Sequence, residues 1–409
     1  MNTSLNHKIR KNIPLDYINT FITNLNMQSS IWVLYLAYCG MNLAQIGLLE
    51  GVYHATSIIF EVPSGAVADL LGRKKSMLLS RLCIAISCVL MMVSNGFWMF
   101  ALSFFIQALG NNFNSGSEEA LVYDSMKYLG QEEGYVGVNG RLNMLIEISQ
   151  GIATVAGGIL AEYSYLWCYG ACVVIALLAF LPVAFMTEVP MEGRGEPSAM
   201  GETEENGGKK SIRKLVAEHF RTSFHILKSD ARICKVIVYY SMVFAATTLM
   251  FFYSQQYYSD LGYNKIQISL ILLLIGGVSC LGAMLSEKIY GKTGKKIAFI
   301  GGFVIAATFL CYGAGNVYLA VAAFAVAQFF NSVLYPVQSL SLNELIPSEQ
   351  RATLISVSSM FFSIAMILCF PIAGAFADRW GLGRVFFGLG ILLILLVAGA
   401  GMIAAPKKG

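Results

Sequence analysis

Four polar side chains lie at helical spacing inside a long apolar stretch near the start of this 409-residue chain. Glu50, His54, Ser57 and Glu61 follow one another at i, i+4, i+7 and i+11, within about 60° of one helix face. Carboxyl and imidazole groups in apolar surroundings are costly and typically bind and release protons. The pattern predicts proton-coupling residues at Glu50, His54 and Glu61, with Glu61 as the principal carrier. The alternative for Glu61 is a structural carboxyl bonded to a neighbouring helix.

Three other apolar stretches of the first half carry similar polar stripes. Their members are Asp16, Thr20 and Thr23, then Gln107, Asn111, Asn114, Glu118 and Glu119, then Glu147, Gln150 and Thr154. Adjacent helical residues point about 100° apart, so we expect only one of Glu118 and Glu119 to face the same cleft as the other stripes. We predict that Glu118, Glu119 and Glu147 also carry protons, and that Asn111, Asn114 and Gln150 contact a solute.

The second half offers uncharged polar and aromatic groups instead of acids. The positions that correspond to Glu50, His54 and Glu61 are occupied by Gln267, Ile271 and Val278. Candidate substrate-binding residues there are Phe251, Tyr253, Gln256, Gln328, Asn331 and Tyr335. The contrast predicts that residues of the first half couple the ion and that residues of the second half bind part of the substrate. For each aromatic residue, ordinary helix packing is the alternative.

The composition indicates what kind of protein holds these residues. Hydrophobic residues make up 56% of the chain and charged residues 13%, about half of the roughly 25% that is usual in soluble domains. Such a chain cannot cover a water-soluble surface, and disordered or disulfide-scaffold classes are excluded as well. The nine cysteines contain no C-x-x-C pair, so no metal site is predicted. The chain is predicted to be an all-α polytopic membrane protein.

Spanning helices need roughly 20 mainly apolar residues, which allows the spans to be counted. Twelve such stretches are found: 13–38, 43–70, 76–94, 97–127, 141–163, 165–187, 233–258, 264–289, 296–314, 317–342, 351–378 and 383–405. We therefore expect an N-terminal six-helix bundle (1–187), a cytoplasmic linker with a basic amphipathic segment (188–232) and a C-terminal six-helix bundle (233–409).

Lysine and arginine fix the expected orientation. With the N-terminus in the cytoplasm, 25 of the 28 Lys and Arg residues fall on the cytoplasmic side, as the positive-inside rule requires. Both termini are then cytoplasmic, and the net charge of +4 is a topology signal that gives no support to a nucleic-acid partner. No Lys or Arg falls at the middle of a span, and Arg81 and Arg141 are the deepest, which disfavours an anionic substrate.

The two halves resemble each other at an offset near 216 residues. The segment 155–162 lines up with 371–378, and Gly65-Ala66 matches Gly282-Ala283. A repeat with an even number of spans keeps both halves in the same orientation, related by a pseudo-two-fold axis along the membrane normal.

One loop of the first half carries a family resemblance. Gly65-Ala-Val-Ala-Asp69-Leu-Leu-Gly72-Arg73-Lys-Lys resembles the signature G-x-x-x-D-R-x-G-R-K/R between helices 2 and 3 of the major facilitator superfamily, with Leu70 where the family usually has Arg. The resemblance implies an acidic partner at the end of helix 4, here Asp124. It implies a conformational latch made of Gly65, Asp69, Gly72, Arg73 and Asp124.

A second resemblance concerns the direction of transport. Gly157-Gly158 is similar to the end of the G-P-x-x-G-G motif of the drug:proton antiporters, which include the tetracycline exporters, although the Gly-Pro pair is missing. We expect a monomeric, proton-coupled exporter of a drug-like or metabolite amphiphile in a bacterial plasma membrane, working by alternating access and giving antibiotic resistance. No cofactor and no ATP are expected, since Gly291-Lys292-Thr293 lacks the spacing of a phosphate-binding loop.

Two other functions fit the same residues. One is a proton symporter that takes up a neutral nutrient, and the other is a non-transporting membrane receptor on the same fold. A membrane enzyme is not expected, because no nucleophile–base pair or metal cluster emerges from the sequence.

Overall fold

The computed structural model describes residues 3–190, 231–345 and 351–404. The predicted linker and its amphipathic segment lie almost wholly outside these residues. The first part contains α1 (Thr3–Arg10), α2 (Asn12–Thr23), α3 (Trp32–Tyr38), α4 (Leu43–Leu71), α5 (Arg73–Val93), α6 (Phe97–Asn114), α7 (Ser117–Tyr128), α8 (Tyr135–Tyr163) and α9 (Tyr165–Phe185), with short 3-10 helices at Met27–Ser30 and Glu132–Gly134. The second part contains α10 (Ala231–Asp260), α11 (Lys265–Thr293), α12 (Lys296–Tyr312), α13 (Val317–Asn343), α14 (Arg351–Trp380) and α15 (Leu382–Ala404).

Within the described residues, nine helices are long and apolar enough to cross a membrane. The all-helical prediction is therefore confirmed, whereas a count of twelve spans is not. Two predicted spans, 13–38 and 97–127, are each broken into separate helices, and α12 has only 17 residues. The second break falls at Ser115–Gly116, where Gly116 adopts a left-handed φ of 73° that ends α6 and turns the chain into α7.

The internal repeat is visible in how helices α4 and α11 begin and end. Each has 29 residues and starts with a capping box, in which Asn42 pairs with Gln45 and Asn264 pairs with Gln267. Both helices stop at a glycine with positive φ. The same local signals therefore place two equivalent helices in the two halves.

The two halves approach each other most closely at one end of the bundle. Helix α4 packs along α14, α8 packs along α11, and α3 contacts α10. Gly47 of α4 lies so close to α14 that a Cβ atom there would be 2.6 Å from the Pro371 Cα. Trp32 packs edge-on against Phe252 of the other half, with ring centroids 5.1 Å apart. We call the end where α4 and α11 begin the closed end, and the end where they stop the loop end.

Candidate functional site

A buried polar cluster joins helices α2, α5, α6 and α7 in the first half. Asp16 on α2 is 1% exposed and Arg81 on α5 is 3% exposed. The Arg81 Nη2 atom donates to Asn114 Oδ1 at 2.9 Å and to Asn19 Oδ1 at 3.2 Å. It also lies 3.8 Å from a carboxylate oxygen of Glu118. The cluster thus contains two acids and one guanidinium within the same buried region.

Glu118 accepts three of the hydrogen bonds in this cluster. Its Oε1 atom accepts from Asn19 Nδ2 at 2.7 Å and from Thr20 Oγ1 at 3.1 Å. Its Oε2 atom accepts from Asn114 Nδ2 at 2.6 Å. Three amide or hydroxyl donors and the nearby Arg81 therefore stabilise a negative charge on this one carboxylate.

Asp16 has the opposite surroundings. Neither of its buried carboxyl oxygens receives a well-aligned hydrogen bond from the described residues. Glu118 and Arg81 are near enough to act on Asp16 electrostatically, and the Asn19 amide and the Glu118 carboxyl also lie close to its carboxyl group. A buried charge without a donor is strongly disfavoured, and a second negative charge nearby adds repulsion. The arrangement favours one negative charge shared between two carboxyl groups.

The helix break places Glu118 and Glu119 in different environments. Because α7 begins at Ser117 after the left-handed Gly116, Glu118 lies in its first turn and faces the cluster. Glu119 is exposed and accepts a hydrogen bond from the Tyr135 hydroxyl at 3.2 Å. The structure therefore separates the two acids, and Glu118 is the one that faces the polar interior.

The Glu50–His54 pair lies between the two halves. Both side chains are buried, and His54 Nε2 is 3.5 Å from Glu50 Oε1. The other ring nitrogen, Nδ1, is 3.1 Å from the Ser363 hydroxyl on α14. Because His54 bonds to Ser363, a change in the charge of this pair changes the hydrogen bonding between α4 and α14.

Glu61 lies in a polar cavity nearer the loop end. The Ser356 hydroxyl of α14 donates to Glu61 Oε1 at 2.9 Å, and Glu61 is otherwise exposed. The cavity has a volume of about 280 Å³ and draws its walls from α4, the α6–α7 break and α14. Its polar lining consists of Ser57, Glu61, Ser64, Asn112, Ser115, Ser359 and Ser363. Both halves therefore contribute uncharged hydrogen-bonding groups around one carboxyl.

The remaining predicted residues of the first half lie in more exposed places. Glu147 accepts a hydrogen bond from the Cys280 thiol of α11 at 3.3 Å. Gln150 donates to Asn24 at 3.3 Å, and Asn111 donates to the Tyr53 hydroxyl at 2.8 Å. Glu147 therefore bridges α8 and α11 across the two halves, whereas the hydrogen bonds of Gln150 and Asn111 are to residues of their own half.

The predicted substrate-binding residues of the second half do not form one surface. Tyr253 is fully buried, and its hydroxyl donates to the backbone carbonyls of Leu43 and Phe370. In this conformation Tyr253 therefore joins the halves and is not accessible to a solute. Among the others, Phe251 packs against Phe324, and Tyr335 is 69% exposed and packs against Phe244.

The polar members of this set are bonded within their own half. Asn331 accepts from the Thr247 hydroxyl at 2.7 Å, and Gln328 donates to the Thr247 carbonyl at 3.2 Å. Gln256 donates to Asp260 at 2.7 Å. Thr247 thus links two of the three predicted side chains into one small network between α10 and α13.

The loop after α4 has the geometry that its glycine pattern suggests. Gly72 has a φ of 98°, which favours glycine. Arg73 Nε lies 3.2 Å from Asp124 Oδ2, and Asp69 is exposed at the end of α4. Gly65, one turn earlier, faces open space. The structure therefore brings Arg73 and Asp124 together, while the role of the loop as a latch stays a prediction.

Three residues that matter here were not assigned a role from the sequence. Asp16 lies on a polar stripe of the sequence, but the sequence does not show that the nearby donors bond to Glu118 instead of Asp16. Arg81 is expected to be one of the two deepest cations, but its spacing does not predict that it is buried beside Glu118. Glu188 accepts from the backbone N–H groups of Arg73 at 2.8 Å and of Lys74 at 3.0 Å. No local sequence signal identifies Glu188, because it lies 115 residues from Arg73.

The described residues contain no group of three or more His, Cys, Asp or Glu side chains that could hold a metal ion. The candidate residues described above present carboxyls, the His54 imidazole, hydroxyls and amides, together with the Arg73 and Arg81 guanidinium groups and the Cys280 thiol. These can bind protons and hydrogen-bond a solute.

Comparison with known proteins identifies the family. The model of the Major Facilitator Superfamily matches residues 17–312 and 292–408. The uncharacterized MFS-type transporter YxaM of Bacillus subtilis is 24% identical over 371 residues, covering 90% of this chain and 89% of that protein. An uncharacterized MFS-type transporter of Methanocaldococcus jannaschii is 22% identical over 395 residues, covering 93% of this chain and 94% of that protein.

Solved structures agree with this fold. The nucleoside transporter NupG superposes with a TM-score of 0.76 at 13% identity, covering 100% of both chains. Tetrameric PepTSo2 superposes with a TM-score of 0.68 at 12% identity, covering 97% of this chain and 98% of that chain. The chain belongs to the major facilitator superfamily and is a multi-pass cell-membrane transporter, not an enzyme.

Proposed function

We propose that this chain is a proton-coupled symporter that takes up a neutral, hydrogen-bonding solute. The observation that carries the coupling is the pair of neighbouring acids, in which Glu118 accepts three hydrogen bonds and the buried Asp16 accepts no well-aligned one. A site of this kind is neutralised by binding one proton, so its charge changes when the proton leaves. Arg81 balances the one negative charge that remains.

The position of this pair suggests how the proton acts on the protein. The cluster includes side chains on both sides of the α6–α7 break, Asn114 before it and Glu118 after it. Loss of the proton leaves two carboxylates near a single guanidinium, and their repulsion pushes α2 and α7 apart. A break in a helix is a place where such a push can change the direction of the chain.

The cavity around Glu61 supports a neutral substrate. Its polar lining has six uncharged side chains and one carboxyl, and these come from both halves. Hydroxyl and amide groups donate and accept hydrogen bonds without needing a charge on the solute. The fold neighbour NupG is a nucleoside transporter, and nucleosides are neutral solutes of this type. Glu61 then contacts the solute, and Glu50–His54 responds to closure of the two halves.

The complete membrane arrangement is part of the same proposal. If each broken helix counts as one span and α12 also crosses, the chain has twelve spans with both termini in the cytoplasm. The distribution of Lys and Arg supports this orientation. The closed end is then extracellular, and the working unit is a monomer.

Export of an amphiphile by proton antiport is the second candidate. The observation that favours it is the exposed Tyr335, which packs against Phe244 and offers a face on which a flat aromatic cation can stack. The same acids would then release a proton when the substrate binds.

Currents from protein reconstituted on a solid-supported membrane test the proposal. A symporter of neutral solutes carries the charge of the proton, so nucleosides should produce a current that grows with an imposed pH gradient. Asp16→Asn should abolish this current and keep solute exchange without a gradient, whereas Glu133→Gln, at an exposed acid of the loop end, should behave as wild type. Solute leaving acid-bathed vesicles would instead support antiport. Currents that Asp16→Asn leaves unchanged would contradict the assignment of the coupling site.

A further inference from the structure

Helix α4 begins against a carboxylate from the opposite half. The first N–H groups of a helix have no partner within that helix. In α4, the N–H groups of Leu43 and Ala44 donate to the two carboxylate oxygens of Asp378, each at 2.9 Å. Asp378 lies near the end of α14, 335 residues from Leu43. One carboxylate thus binds the start of a helix that belongs to the other half of the molecule.

The same arrangement occurs at the equivalent place in the repeat. Helix α11 begins at Lys265, whose backbone N–H donates to Glu162 Oε2 at 3.0 Å. The Lys265 ammonium lies 3.8 Å from the same oxygen. Glu162 stands near the end of α8, and it is the residue that the internal repeat aligns with Asp378. Two acids related by the repeat therefore hold the starts of two helices related by the repeat.

A glycine one turn before each acid permits this approach. A methyl group at Gly374 would overlap the Leu43 carbonyl, and one at Gly158 would overlap the Ser269 hydroxyl. The spacing Gly-x-x-x-acid is thus common to both contacts. It brings the helix that carries the acid against the backbone of the helix that the acid caps.

Both carboxylate contacts join the two halves, and both lie at the closed end. Opening of that end requires α4 to leave α14 and α11 to leave α8, which breaks both carboxylate contacts. The freed N–H groups face water in the open state, whereas in the closed state a negative charge lies at the positive end of each helix. Both contacts therefore favour the closed state over the open one.

We propose that Asp378 and Glu162 form a two-point clasp that holds the closed end shut, and that the transport cycle releases both points together. The clasp consists of these two acids and the helix starts at Leu43, Ala44 and Lys265. The inference rests on membership of a transporter family that works by moving its two halves. It does not depend on which ion or solute is carried, so it can fail or succeed independently of proton symport.

Distances between spin labels at the closed end measure the state of the clasp. Trp98 and Tyr318 are 82% and 84% exposed, and each is the second residue of a helix that begins at this end, in a different half. Labels attached through a keto amino acid at these positions avoid the nine native cysteines. Loss of one clasp point removes one or two charge-assisted hydrogen bonds, which corresponds to about a tenfold rise of the open-to-closed ratio.

The variants are Asp378→Asn, Glu162→Gln and the two combined. We expect each single variant to raise the population with the longer distance about tenfold, and the combination to raise it further. Glu344→Gln, which removes an acid paired with Lys295 at the loop end, should leave the distances as in wild type.

A backbone variant separates loss of the clasp from misfolding. Leu43→Pro removes one N–H that Asp378 binds and changes no charge, and proline is favoured at the first position of a helix. It should shift the populations in the same direction as Asp378→Asn. Populations that stay at the wild-type ratio in Leu43→Pro and in the combined variant would overturn the proposal.

Discussion

Replacing Arg81 by methionine should destabilise the protein through Glu118. The guanidinium is 3% exposed and lies 3.8 Å from the Glu118 carboxylate. At an effective dielectric constant of about 20, this distance gives an attraction of about 4 kcal/mol. Removal of one partner from a buried pair costs roughly 3–5 kcal/mol, because the other charge is left uncompensated. We therefore expect Arg81→Met to lower the free energy of unfolding by about 3–5 kcal/mol at neutral pH.

The double variant distinguishes a charge effect from a packing effect. Glu118→Gln alone should cost about 1 kcal/mol, because Asp16 can then lose its proton and balance the charge of Arg81. Together, Arg81→Met and Glu118→Gln should cost much less than Arg81→Met alone, because no buried charge is then left without a partner. The coupling free energy from this cycle should be about 3 kcal/mol.

Unfolding of the purified protein by titration with a denaturing detergent measures these differences. The deficit of Arg81→Met should become smaller at acidic pH, because protonation neutralises the carboxylate that has lost its cation. A deficit below about 1 kcal/mol, or a double variant as unstable as the sum of the two single ones, would contradict a charge effect of Arg81 on Glu118.

Three further predictions concern the predicted latch, the cavity and the closed end. Asp69→Asn should slow turnover more than it weakens solute binding, as measured by transport and binding assays; unchanged transport would count against a latch. Glu61→Gln should weaken binding of a neutral solute about tenfold, the value for one lost charged hydrogen bond; binding as in wild type would place the solute elsewhere. Gly374→Ala should open the closed end in spin-label distance measurements, because its methyl group overlaps the Leu43 carbonyl, whereas Gly388→Ala, with no atom within 4 Å of its Cβ, should not. Equal distances in the two glycine variants would contradict this close approach.

The sequence predicts the parts of this fold that depend on local patterns. Apolar stretches predict most of the helices, and the glycine at position 72 predicts the turn after α4. The repeat between 155–162 and 371–378 predicts equivalent places in the two halves. Each of these signals is contained within a few residues, so it can be recognised without knowing the neighbours in space.

Other features depend on contacts that no local pattern contains. Spacing along a helix could not decide between Glu118 and Glu119, because the break at Gly116 changes the direction of the chain just before them. Asp16 belongs to a recognisable polar stripe, yet only the three-dimensional arrangement leaves it without a well-aligned donor. The partner of Asp378 is a pair of backbone N–H groups, and such groups leave no mark in the sequence.

Proton coupling at this cluster requires a protonated carboxyl at Asp16. Infrared spectra of the reconstituted protein measure it directly, because protonated and ionised carboxyl groups absorb at different frequencies. We predict a protonated-carboxyl band at neutral pH that is lost in Asp16→Asn and kept in Asp124→Asn, whose acid is paired with Arg73. A spectrum in which Asp16→Asn leaves that band unchanged would contradict the shared-proton site and the coupling mechanism built on it.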